Sequence, residues 1–118
     1  MGIALFILAG IAIGALAISV ITLSVGWIIR RFREHTRQKR IKKMILTDVR
    51  ALSRHCDNRY TLEQLNQLAA RGGTHLITEI GEDGNICDTE AVHDNSAVLD
   101  AEVAALLGRE GMVVLEDS

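Results

Sequence analysis

The sequence predicts a single transmembrane α-helix continuing into a basic cytoplasmic helix, followed by a small α+β domain of order α-β-β-α-β. Three observations predict it. Residues 3–29 hold no charged side chain, and Arg30 and Arg31 follow at once. Charge then divides along the chain: residues 1–59 carry 11 Lys/Arg against 3 Asp/Glu, and residues 60–118 carry 2 against 12. The halves stand at +8 and −10, which the overall −2 conceals. Beyond residue 59 the apolar period switches between helical and extended values.

Residues 1–29 form the predicted membrane helix. Of the 27 uncharged residues, 15 are Ile, Leu, Val or Phe. As a helix the run measures about 40 Å, against about 30 Å of hydrocarbon, so tilt or interfacial overhang is expected. Ala15-Leu16-Ala17 resembles a signal-peptide cleavage site. No basic residue precedes it, however, and the apolar run continues beyond it, so a retained anchor is expected. Gly10 and Gly14 make a G-x-x-x-G pair, and Ala17 and Ile21 extend the stripe. Small residues at that spacing let two helix backbones approach, which makes this the expected homodimer face. Trp27 falls at headgroup level, where an amphipathic ring is at home.

Residues 30–58 form the predicted juxtamembrane helix. Arg30, Arg31, Arg33, Arg37, Lys39, Arg40, Lys42 and Lys43 crowd its start. By the positive-inside rule they place residues 30–118 in the cytoplasm and the amino terminus outside the cell membrane. Together with Trp27 they are the expected membrane-surface residues, with anionic lipid headgroups as partner at about 1 kcal/mol per basic residue. No Gly or Pro interrupts Arg30 to Cys56, and Ile41, Ile45, Val49, Leu52 and Cys56 recur at helical spacing. The stripe is expected to pack on the chain's own domain or on a second copy in a short coiled coil.

Residues 59–118 form the acidic α+β domain. Thr61 and Gln64 fit a capping box, with Tyr60 and Leu65 as a staple, and Gly72 suits the left-handed residue that ends a helix over 62–71. Leu76 to Ile80 alternate as a half-buried strand. The segment Gly81-Glu82-Asp83-Gly84-Asn85 is turn chemistry, with Ile86-Cys87-Asp88 as the returning strand. Ser96 to Leu107 reads as a helix stopped by Gly108, and Met112 to Leu115 as a last strand. A unit with so few aromatics should lean on the preceding helix or on a partner.

Catalytic and cofactor chemistry finds no support. His55, Cys56, His75, Cys87 and His93 lack the short paired spacings of a zinc site. Nothing resembles G-x-S-x-G, and Gly81–Gly84 lacks the G-K-[ST] of a phosphate loop. Asp83, Asn85, Asp88 and Glu90 lack the glycine and flanking helices of an EF-hand. No cofactor or metal is therefore expected, and phosphate repulsion by the −10 half excludes nucleic acid. Two cysteines without C-x-x-C fit reduced thiols in a cytosolic setting, or at most one bridge.

The expected function is that of a non-enzymatic membrane-anchored adaptor or regulator that binds an unidentified protein partner. The alternatives are a membrane-active small protein whose helix oligomerises and perturbs the bilayer, and an accessory subunit of a membrane complex, including one whose partner completes an enzyme site. The acidic run from Glu79 to Glu102 is either a solubilising face or a dock for a basic segment, the nearest being residues 30–43. On this topology a membrane-impermeant maleimide on intact cells should leave Cys56 and Cys87 unlabelled. Strong labelling of either, with integrity controls passed, would reverse the orientation.

Overall fold

A computed structural model describes residues 17–51 and 62–117. The elements are β1 (Ile18–Ile21), α1 (Val25–Lys39), β2 (Ile41–Asp48), a short 3₁₀ turn (Val49–Ala51), α2 (Leu62–Ala70), β3 (His75–Gly81), β4 (Ile86–Asp94), α3 (Ala101–Leu107) and β5 (Met112–Glu116). Among the described residues they build one five-stranded mixed sheet of order β1-β4-β3-β2-β5. β2 pairs antiparallel with both β3 and β5, and β3 pairs antiparallel with β4. β1 lies parallel to β4, with Ile18 opposite Ala91 and Ile21 opposite Asp94.

The central strand β3 is buried along its whole length. One face of the sheet carries Met44, Leu46, Ile77 and Val92, packed with Leu23 and Ile28 from around the start of α1 and with Val103 and Leu107 of α3. Phe32 and Trp27 of α1 pack against the same cluster. The alternate residues Ile45, Thr47, Leu76 and Thr78 are equally buried. Strands covered on both faces read as continuous apolar runs, and Met44-Ile45-Leu46 is such a run.

The predicted order of residues 59–118 holds: α2, β3, β4, α3 and β5 follow as α-β-β-α-β. α2 ends as its glycines require. Gly72 has φ of 95°, its N–H donates to Ala69 O at 3.0 Å, and Gly73 N–H donates to Leu68 O at 3.0 Å. That pair is a Schellman closure. A Cβ on Gly73 would stand 2.9 Å from Leu68 Cγ, so the second glycine is held by close packing rather than by its φ. The turn over residues 81–85 also holds, with Gly84 at φ of 82°. β4 is longer than Ile86–Asp88, running to Asp94. α3 starts at Ala101 rather than near Ser96, because Asp100 caps it through Oδ1 to the N–H groups of Glu102 and Val103. The proposed cap of α2 at Tyr60 and Thr61 lies outside the described residues.

The first half of the chain differs from expectation in two places. The helix expected over 30–58 ends at Lys39: Arg40 adopts a left-handed φ of 55°, and Ile41–Asp48 is a strand between β3 and β5. The apolar residues at Ile41 and Ile45 fit a helical stripe, yet Met44 and Leu46 on either side of Ile45 are also buried, as in a strand covered on both faces. Leu52 and Cys56, the rest of that stripe, lie outside the described residues.

The uncharged run is likewise not one helix up to Ile29. Ile18–Ile21 is a strand, and α1 begins only at Val25, where Ser24 Oγ accepts from Trp27 N at 3.1 Å. The β-branched residues Ile18, Val20, Ile21 and Thr22 favour extended backbone, and Ser24 supplies the cap that restarts the helix. Among the described residues no helix is long and apolar enough to cross a membrane.

Candidate functional site

α1 sorts its basic side chains onto two faces. Arg31 and His35, one turn apart, reach the sheet. The Arg31 guanidinium bonds Glu90 of β4, its Nε lies 3.8 Å from Glu79 Oε2, and His35 Nδ1 meets Glu79 Oε2. Arg31 also lies over the Trp27 ring, 5.4 Å from its centroid. The Glu79 side chain is only 1% exposed, so these partners replace the water it has lost. The second oxygen, Oε1, has no hydrogen-bond partner. β4 carries one extra residue beside Glu79, since Glu79 faces Asp88 while Ile80 faces Ile86. Such a bulge twists the strand and re-aims its side chains.

The other face of α1 is solvated and basic. Arg30, Arg33 and Arg37 are exposed, and with Gly26, Ile29 and Glu34 they line a shallow groove of about 530 Å³. The expected membrane-surface set is therefore divided. Arg30, Arg33 and Arg37 share this groove, whereas Arg31 and Trp27 are turned toward the sheet. Lys39 closes α1, and Arg40 forms the exposed turn after it. Lys42 and Lys43 sit on β2, where Lys43 Nζ is 3.9 Å from Glu116. Of the expected helix-contact stripe, Ala17 is exposed and Ile21 lies on β1, packed against the core, while Gly10 and Gly14 fall outside the described residues. The contact expected between acidic and basic segments exists within the chain, through Arg31 to Glu79 and Glu90 and through Lys43 to Glu116.

A second site lies where the parallel strands β2 and β4 end and β3 begins. A cleft of about 360 Å³ opens there, bounded by Asp48, Arg50, His75, Asp94, Ser96 and Leu99 among others. Asp94 Oδ1 accepts from Leu23 N at 3.2 Å and from Ser96 N at 3.1 Å, so one carboxylate ties the exit of β1 to the exit of β4. Burial pushes Asp94 upward, but hydrogen bonds from the backbone of Ser96 and Leu23 outweigh it and leave the carboxyl below its ordinary 3.8. His75 is 4% exposed. Burial holds it below its ordinary 6.5, against the pull of Asp48 and Asp94.

In the sequence His75 is only one of several scattered metal candidates. Asp48, Asp94 and Ser96 gave no local signal, because topology rather than spacing brings them together. Among the described residues no group of three His, Cys, Asp or Glu is placed to hold a metal ion. Compared with known proteins, the chain matches no family model, and no curated protein or solved structure shows significant similarity to it.

Two expectations follow. Removing one partner of a buried ion pair strands the other, so Arg31→Ala should cost about 3–5 kcal/mol by urea unfolding. The Arg31→Met, Glu79→Leu double variant should recover much of that loss, whereas simple additivity would show the pair uncoupled. Because the folded pKa of His75 lies below 6.5, the unfolded chain binds more protons as pH falls through 6.5. Stability should be fullest above that value and decline below it, with the Asp94 contribution lost only below 3.8. His75→Gln should flatten the decline between neutral and mildly acid pH, measured by urea midpoints across the range.

Proposed function

We propose that this chain is a non-enzymatic, membrane-associated module that holds a protein partner at the inner face of the cell membrane. The observation that carries the reading is the sorting of charge on α1. Arg31 and His35 are consumed by the fold, while Arg30, Arg33 and Arg37 stand on one exposed face beside Ile29, which is 39% exposed. A basic strip with an apolar neighbour suits an anionic leaflet, at about 1 kcal/mol per residue. The uncharged segment that precedes the sheet supplies the anchor. With Ile18–Ile21 paired in the sheet, the anchor is assigned to the part of the segment that precedes Ile18. The concentration of basic residues after this segment supports a cytoplasmic domain and an outward amino terminus.

The partner-binding face is the acidic side of the module. Glu82, Asp83, Glu102 and Asp117 are exposed, and the run from Glu79 to Glu102 has no Lys or Arg. Electrostatic complementarity then favours a basic protein segment as partner.

The test uses the full chain in lipid nanodiscs, with and without phosphatidylserine, carrying a nitroxide on the headgroup. Relaxation of the Arg33 and Arg37 amides should be stronger with the anionic lipid and fall in high salt. The Arg30→Gln, Arg33→Gln, Arg37→Gln variant should lose the preference, worth about 3 kcal/mol or ~100-fold. Equal relaxation in both bilayers would reject the basic face. Recovery of the intact chain from washed membranes without detergent would reject the anchor.

A further inference from the structure

The sheet ends at β5, and that edge is unprotected. Among the described residues no strand lies beyond β5 in the order β1-β4-β3-β2-β5. An open edge offers a row of backbone donors and acceptors to any other strand, and natural edges are blunted by Lys, Pro, a bulge or a covering element. Met112-Val113-Val114-Leu115 contains no Lys and no Pro, and its pairing with β2 shows no bulge. Val114, in the middle of the strand, is 42% exposed.

The hydrogen bonds at the two ends of β5 show which backbone groups face outward. Asp48 N–H donates to Gly111 O at 2.8 Å, and Asp117 N–H donates to Lys42 O at 2.8 Å. In an antiparallel ladder bonded pairs alternate with non-bonded pairs. Gly111, Val113, Leu115 and Asp117 therefore turn their amides and carbonyls toward β2. Met112, Val114 and Glu116 turn theirs away from it.

An outward set spaced by two and centred on Val114 is its own complement. Under a two-fold axis through Val114, normal to the sheet, Val114 bonds Val114 of a second copy and Met112 bonds Glu116 of that copy. No outward group of the strand is left over. A register centred on Val113 leaves Glu116 without a partner in the facing strand, and one centred on Leu115 does the same to Met112.

The side chains agree with the centred register. Glu116 faces Met112 of the second copy, and the two Glu116 positions stand about 13 Å apart along the strands. Each has Lys43 Nζ of its own copy 3.9 Å away, which offsets its charge. The two Val114 side chains meet on one face. On the other, Val113 and Leu115, which pack against the cluster that holds Val103 and Leu107 of α3, face Leu115 and Val113 of the second copy. The opposite edge, β1, pairs only four residues with β4, and a contact between β1 and β5 would grow an open filament instead of closing.

We infer that the outer edge of β5 pairs antiparallel with β5 of a second copy about Val114, joining two five-stranded sheets into one. A second copy fits better than a foreign strand because the sequence already present satisfies every outward group of the edge.

The test compares the full chain in detergent micelles at low and high protein-to-detergent ratio, by amide hydrogen exchange in ¹⁵N spectra. At high loading the amides of Met112, Val114 and Glu116 should exchange about tenfold more slowly than at low loading. Those of Val113 and Leu115, bonded to β2, should be slow at both. In a mixture of ¹³C-labelled and unlabelled chains, an isotope-filtered NOE should join Val113 Hα to Leu115 Hα of the second copy, since a non-bonded pair brings the Cα atoms to about 4.5 Å.

Val114→Pro removes an outward N–H without touching a bond to β2. It should abolish the slowing at Met112 and Glu116 and the NOE, while Val113 and Leu115 stay protected. Val114→Lys keeps every amide and sets two like charges opposite each other, so it should weaken the pairing severalfold. The inference is overturned if loading leaves the three amides unchanged, if the NOE reports another register, if protection spreads to the amides of β1, or if Val114→Lys pairs as well as the parent. Every readout lies on β5, so failure here leaves the membrane reading standing, and failure of that reading leaves this one untouched.

Discussion

The carboxylate of Glu79 sits at the centre of the sheet, where water cannot neutralise its cost. Among the described residues its side-chain partners come from one helix, through Arg31 and His35. An ion pair in so dry a place adds little net stability against a well-packed apolar alternative, but it is directional. It fixes the rotation of α1 about its axis. Ile28 and Phe32 then fall onto the core, and Arg30, Arg33 and Arg37 are left on the solvent side. The basic face is in that sense a by-product of satisfying an acid buried beneath it.

The second organising constraint is edge-to-edge continuity of the sheet. β2 is inserted between β3 and β5, so residues separated by some seventy positions along the chain become neighbours. Asp94 then closes the arrangement from the other side, since its carboxylate receives the backbone of Leu23. The cleft exists because the ends of β2 and β4 fall together while the start of β3 lies between them. Its polar groups come from three separate stretches of chain, around Asp48, His75 and Asp94.

That geometry explains what was legible beforehand. The second half was readable because its punctuation is local: Gly72 closing α2, Gly84 in the hairpin turn and Gly108 after α3 mark boundaries wherever the chain is placed. The first half misleads because its periodicity is ambiguous. Ile41, Ile45 and Val49 fit a helix, and the strand that they actually enter is betrayed only by Met44 and Leu46, whose burial depends on cover from both sides. Residues 18–29 mislead for a different reason. Hydrophobicity alone does not distinguish a lipid environment from a protein core, and Leu23 and Ile28 have found the latter. The site at His75 was invisible because no motif connects Asp48, His75 and Asp94 along the sequence.

The edge strand β1 has a mechanical side as well. Four residue pairings join it to β4, and they run parallel, so tension applied from the amino end is borne by those hydrogen bonds in shear. Just past the strand, the amide of Leu23 and the main chain of Asn95 are stitched across the same junction, the latter to Ile21 O at 2.8 Å. A tug on the leading segment thus arrives first at Asp94, in the wall beside His75, before α1 feels any strain. The edge strand and the cavity share one seam.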